Sequence, residues 1–140
     1  MPESGGQERV NGAQARAFCE AWSARDCDRL LGLLADDVHY MVYEGGPEYV
    51  GPAKIGEVVG RFMARFGRIE FDILRQHALG SVVVQERTEH YYGPAGELDT
   101  RFHVVAVLVF ENGQIRSWRD YGVPGVEQLA GPLCRQRAES

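Results

Sequence analysis

At 140 residues the chain suits one domain with a proper core, and its 44% hydrophobic and 25% charged make-up is that of a globular protein. A net charge of −5 leaves no basic face for phosphates, which sets nucleic-acid binding aside. No apolar run approaches the roughly 20 residues of a membrane span, and the first residues lack the basic-then-apolar order of a secretion signal. The three cysteines, Cys19, Cys27 and Cys134, are widely spaced and read as reduced thiols of a cytoplasmic protein.

Residues 1–10 are polar and glycine-containing, and are expected to fray. Asn11 and Gln14 resemble a capping box that opens a helix. Ala15, Phe18, Cys19 and Trp22 then recur at helical spacing as one apolar stripe. Asp26 can cap a second, shorter helix bearing Leu30, Leu31, Leu33 and Leu34. A strand with Tyr40 and Val42 follows, broken by Gly45-Gly46-Pro47. Gly51-Pro52 opens a third helix, where Ile55, Val58, Val59, Phe62, Met63 and Phe66 keep the helical period.

After Gly67 the pattern changes to strands, over about 68–78, 81–92, 98–111 and 114–121. The links are short, and Asn112-Gly113 is a strong hairpin signal. Four hairpin-connected strands make an antiparallel meander, and strands this long curve through twist and bulges. Three amphipathic helices and one sheet can hide their apolar faces only on each other. The expected fold is therefore α+β, a curved sheet wrapped around helices with a pocket at the open end. It forms one domain over 1–140, with a core of about 11–128 and polar termini at 1–10 and 131–140.

Two strands carry polar residues where the pattern asks for apolar ones. Residues two apart share a face, so Val83, Gln85, Arg87, Glu89 and Tyr91 lie together, opposite Val82, Val84, Glu86, Thr88, His90 and Tyr92. The plain reading makes Arg87 and Glu89 an exposed ion pair of little consequence. On the last strand Trp118 and Asp120 share a face, and a Trp there should be buried. A buried carboxylate survives only with partners, and Arg87 is the natural candidate; a structural alternative makes Asp120 an acceptor holding a strand end. Together Arg87, Glu89 and Asp120 can form a carboxylate–guanidinium–carboxylate cluster. One carboxylate would then take a proton from water while the other, kept neutral, donates one.

Glu86-Arg87-Thr88-Glu89 and Trp118-Arg119-Asp120-Tyr121, at this separation, resemble the limonene-1,2-epoxide hydrolase family within the NTF2-like, SnoaL-like superfamily. The resemblance spans roughly residues 12–128. It implies an NTF2-like (cystatin-like) cone-shaped barrel, three N-terminal helices packed in a strongly curved mixed or antiparallel sheet. It also implies a cofactor-independent, metal-free hydrolase that adds water to a small apolar epoxide, or acts on a polycyclic, terpenoid-like molecule. In those roles Asp120 activates the water, Glu89 protonates the epoxide oxygen, Arg87 bridges them and Tyr40 helps hold the water. Trp22, Val42, Phe62, Tyr91 and Trp118 are expected to line the pocket.

Two positions depart from the family: Glu89 stands for its Asp, and Val42 for its water-binding Asn. Glu44, Tyr43 and His39 are candidates to replace the latter. Superfamily members commonly pair through the convex sheet face, so the resemblance implies a homodimer, with apolar residues among Val104 to Phe110 compatible with it. Two other readings suit the same scaffold. One is a SnoaL-like cyclase or ketosteroid-isomerase-like proton shuttle, with Tyr40 or Tyr91 steadying an oxyanion. The other is a non-catalytic domain that binds a hydrophobic ligand. His77, His90 and His103 lack metal-ligand spacing on one element and read as surface or satisfied histidines. Ser81 and Ser117 lack the setting of an activated nucleophile.

Overall fold

The computed structural model describes residues 2–43 and 45–135. Three helices precede or interrupt the strands: α1 (Pro2–Ser23), α2 (Cys27–Leu31) and α3 (Pro52–Met63). The strands are β1 (Leu34–Met41), β2 (Glu48–Val50), β3 (Arg68–Leu79), β4 (Val82–Tyr92), β5 (Leu98–Glu111) and β6 (Gln114–Gly122). They form one sheet in the order β2-β1-β6-β5-β4-β3, in which β1 and β6 run parallel and all other neighbours antiparallel.

Apolar periodicity gives the helices their buried faces. Ala15, Phe18, Cys19 and Trp22 of α1 are buried, as are Ile55, Val59 and Met63 of α3. Gly51 at φ +87 precedes α3, a backbone setting that only glycine adopts without strain, and Pro52 opens the first turn. Asp26 caps α2 as expected, accepting from Arg29 N at 3.0 Å. Register shifts at Ile73/Arg75, Tyr91/Tyr92 and Val109/Phe110 bend the long strands, the way bulges curve a sheet. The concave face closes on α1 and α3, giving the NTF2-like cone.

The N-terminal expectations need correction. Residues 2–10 are helical, and α1 runs through Asn11 instead of starting there. Asn11 and Gln14 are not a cap: Asn11 Nδ2 donates to Gly80 O (3.4 Å) and Gln14 Nε2 to Gly113 O (3.1 Å). The two amides tie the helix to hairpin turns more than 60 residues away in the chain. Glu8 Oε2 adds an acceptor for Gly80 N at 2.8 Å. Leu34 belongs to β1, not to α2, and Val42 lies one residue past the strand end. The short strand β2 was not expected, and it pairs with β1 through Tyr40↔Tyr49.

The C-terminal segment packs, although its composition reads as a polar tail. Gln128 brackets His103, accepting from its N–H at 2.8 Å and donating to its C=O at 3.0 Å. Leu129 bridges Arg101. Buried Asp99 then accepts from Leu133 N and Cys134 N, both at 3.2 Å. Residues 136–140 of the expected tail lie outside the described residues.

Candidate active site

On β4 the buried face is the polar one: Val83, Gln85, Arg87, Glu89 and Tyr91 point inward. Arg87 is fully buried and Glu89 4% exposed, so the exposed-pair reading fails. Burying a guanidinium demands partners for its donors, and Arg87 has three. Its Nε donates to Glu89 Oε2 (2.7 Å), Nη1 to Gln85 Oε1 (2.9 Å) and Nη2 to Asp120 Oδ1 (3.0 Å). Phe71 and Phe18 flank the cation, 5.0 and 5.8 Å from their ring centres.

A second layer fixes these groups. Gln85 Nε2 donates to Gln76 Oε1 (2.7 Å) and to Ala15 O (3.4 Å), and Cys19 Sγ donates to Gln85 Oε1 (3.1 Å). The Tyr91 hydroxyl donates to Glu89 Oε1 at 2.5 Å. Trp118 Nε1 donates to Asp120 Oδ1 at 3.1 Å, so this oxygen takes two donors. Asp120 Oδ2 has no protein partner among the described residues.

Burial sets the proton affinities. It pushes Asp120 up to about 6, with Glu89 adding to the shift and Arg87 and Trp118 opposing it. Burial likewise raises the Tyr40 and Tyr91 phenols well above their ordinary value and the Cys19 thiol to about 12. For Arg87, burial favours proton loss, but Asp120 and Glu89 outweigh it and hold the guanidinium charged. One cation thus faces two carboxylates, and burial retains a proton on Asp120 beyond the usual carboxylate range.

The cluster opens into a pocket of about 480 Å³. The residues expected to do chemistry or form the pocket wall all line it: Arg87, Glu89, Asp120, Tyr40, Trp22, Val42, Phe62, Tyr91 and Trp118. Tyr40 stacks on Trp118 with centroids 3.6 Å apart and planes 14° apart, and its hydroxyl has no hydrogen-bond partner among the described residues. Of the candidates to replace the missing amide, Tyr43 lines the pocket, His39 turns outward to Glu48, and Glu44 lies outside the described residues. Sequence reasoning did not place Phe71, Phe102, Val104 (grouped with the convex-face residues), Gln128 and Cys134 here, yet all five line the pocket. The inward phase of β3 and β5 could have found the first three; nothing local marks Gln128 or Cys134. Among the described residues no three His, Cys, Asp or Glu side chains gather to hold a metal. No described helix is long and apolar enough to cross a membrane.

Chemically, the site offers a fixed cation, two carboxylates and phenols in an apolar chamber. Such a set moves protons at one end of an uncharged molecule while aromatic walls hold the rest. Solved structures share the scaffold. An LEH-like epoxide hydrolase of M. tuberculosis is 28% identical, with a TM-score of 0.70, over 82% of this chain and 84% of its own. A candidate polyketide cyclase of Xanthomonas campestris pv. campestris is 23% identical (TM-score 0.72), over 84% of this chain and 93% of its own. A candidate ketosteroid isomerase of Kribbella flavida is 21% identical (TM-score 0.65), over 92% and 90% of the two chains. No curated protein matches in sequence. The SnoaL-like domain family matches residues 15–118, the span that holds both helical faces, β4 and the start of the last strand, and the chain belongs to that family.

Proposed function

We propose that the protein is a cofactor-independent epoxide hydrolase acting on a small apolar epoxide. One observation carries the reading: Arg87 binds both carboxylates at once, Nε on Glu89 and Nη2 on Asp120, at the wall of an apolar pocket. Opening an epoxide with water needs a base for the water and an acid for the ring oxygen, acting together. Two carboxylates bridged by one guanidinium, with the proton affinity of Asp120 raised by burial, supply both. The 28% identity to an LEH-like epoxide hydrolase supports the assignment. The half-buried valines of the convex sheet face support a homodimeric assembly for it.

The test is diol formation from a panel of small epoxides by wild type, Glu89→Gln and Asp120→Asn. The reading expects turnover in the wild type and losses of about 10²-fold or more in each variant, the scale of a general acid or base. Undiminished hydrolysis in both variants would rule it out.

Val42 favours a second reading, because it brings no hydrogen-bonding side chain to the pocket wall where the hydrolases place an amide on the water. A cyclase or isomerase-like proton shuttle needs no such water. Asp120 would move a proton beside a carbonyl, and a phenol would steady the oxyanion. Exchange of substrate α-protons in deuterated water, without net hydration, would establish this alternative.

A further inference from the structure

We propose that Tyr91 decides which of the two carboxylates carries a proton: its hydroxyl holds Glu89 as the anion, so the proton resides on Asp120 Oδ2. On the hydrolase reading, on which its catalytic consequence rests, this reverses the roles that the family resemblance implies.

The geometry is unequal at the two carboxylates. Each Glu89 oxygen accepts a hydrogen bond, Oε2 from Arg87 Nε and Oε1 from the Tyr91 hydroxyl. A carboxylate accepting from both sides is stabilised as the anion. At Asp120 both donors fall on Oδ1, and Oδ2, with no partner among the described residues, can bear a hydrogen in a residue that lines the pocket. The upward displacement of Asp120 agrees with this placement. The longer Glu side chain makes the difference, since its extra methylene carries the carboxyl out to the phenol two residues on along the same strand face.

The surroundings do not supply a competing proton. Facing the pair are Cys19 from α1, Tyr40 from β1, and Arg87 and Tyr91 from β4. Burial keeps the thiol and both phenols neutral, and Arg87 stays charged. Tyr43, Tyr121 and Cys134 complete the titratable lining of the pocket. From β3, α3 and β5 come Phe71, Phe62 and Val104, none of which titrates.

The reaction then balances as follows. Water oxygen forms the new C–O bond as the epoxide C–O bond breaks. Glu89 takes the proton from the water, using a lone pair beyond those its two donors occupy. Asp120 gives its proton to the ring oxygen. After the diol leaves, the proton returns from Glu89 to Asp120 through water, which restores both groups.

The test needs no substrate. Carbon-13 NMR of the aspartate carboxyls between pH 4 and 8, with Asp120 identified by Asp120→Asn, follows its titration in wild type, Tyr91→Phe and Glu89→Asp. The proposal expects Asp120 to titrate near pH 6 in the wild type. In both variants its midpoint should fall by about one unit or more, because Glu89 loses its phenol donor or a shorter side chain withdraws from it and then competes for the proton. A packing role for Tyr91 would not move that midpoint. An Asp120 already ionised at pH 5 in the wild type, or an unchanged midpoint in both variants, would overturn the proposal. For any epoxide that is turned over, kcat should fall as pH rises through 6; a rise would give Asp120 back the role of base. If no epoxide is cleaved, the hydrolase reading fails while the carboxyl titration still decides the proton's location.

Discussion

Arg87 reaches Asp120 across an intervening strand: Nη2 stands 3.0 Å from Oδ1, although β5 separates β4 from β6. The register shows how. Ala106 of β5 lies opposite Gln85 on one side and Asp120 on the other, fully buried, and its methyl leaves the guanidinium room to cross. Ala106→Leu would fill that crossing. We expect it to cost about 1–3 kcal/mol by overpacking and to lower turnover about 10²-fold by displacing Arg87 from Asp120. Urea unfolding and epoxide hydrolysis check the two effects separately.

Removing the cation alone should be the most damaging single change. Arg87→Met leaves Glu89 and Asp120 buried and facing each other, with an expected loss of about 3–5 kcal/mol. Adding Glu89→Gln and Asp120→Asn to Arg87→Met removes the stranded charges and should recover part of that loss. Denaturant midpoints of the single and triple variants make the comparison.

Asp120 also ties stability to pH. Its folded-state value of about 6 exceeds the 3.8 of a free aspartate, so the native state holds a proton that the unfolded chain has released. The contribution is therefore complete below about pH 4 and is lost as pH rises through 6, with an upper size of roughly 3 kcal/mol. Unfolding free energies of wild type and Asp120→Asn should differ with that slope between pH 4 and 6. Parallel curves would contradict the shifted value.

Asp99 holds the C-terminal segment whose Cys134 lines the pocket, through the N–H groups of Leu133 and Cys134. Asp99→Ala leaves both without acceptors, an expected cost of about 1–3 kcal/mol. Cys134 should then react with a thiol reagent at least tenfold faster than in the wild type, by analogy with local opening elsewhere in proteins. Mass spectrometry of labelled peptides would separate Cys134 from Cys19 and Cys27.

The convex face carries Val82, Val84, Val105, Val107 and Val109, all half-buried side chains on the face opposite the described helices. Val107 sits mid-strand between Val84 and Arg119. A homodimer through this face predicts the mass of two chains in light scattering, reduced to one by Val107→Glu. A wild-type monomer at micromolar concentration would remove the dimer from the account.

Much of this was legible in the chain, because helical and strand periods are local. The four long strands and the face shared by Arg87 and Glu89 follow from alternation alone, and Trp118 draws Asp120 inward by the same rule. What stayed hidden depends on contacts distant in sequence. The start of α1 carries no apolar stripe, and its anchors, Glu8 and Asn11, are polar groups meeting Gly80 at the tip of a hairpin. The parallel pairing of β1 with β6 has no local signature. Nor does the short β2, whose three residues pair with β1. The hold of Tyr91 on Glu89 was hidden because an aromatic side chain on an inward face reads first as packing.

The central claim is that water attacks the epoxide directly while the carboxylates only move protons. A single turnover of the enzyme in water labelled with oxygen-18 tests it most directly, with mass analysis of both the diol and the peptides bearing Glu89 and Asp120. The account predicts label in the diol at once and none in either carboxylate. Unlabelled diol from the first turnover, with oxygen-18 appearing in Glu89 or Asp120, would show a covalent ester and contradict it.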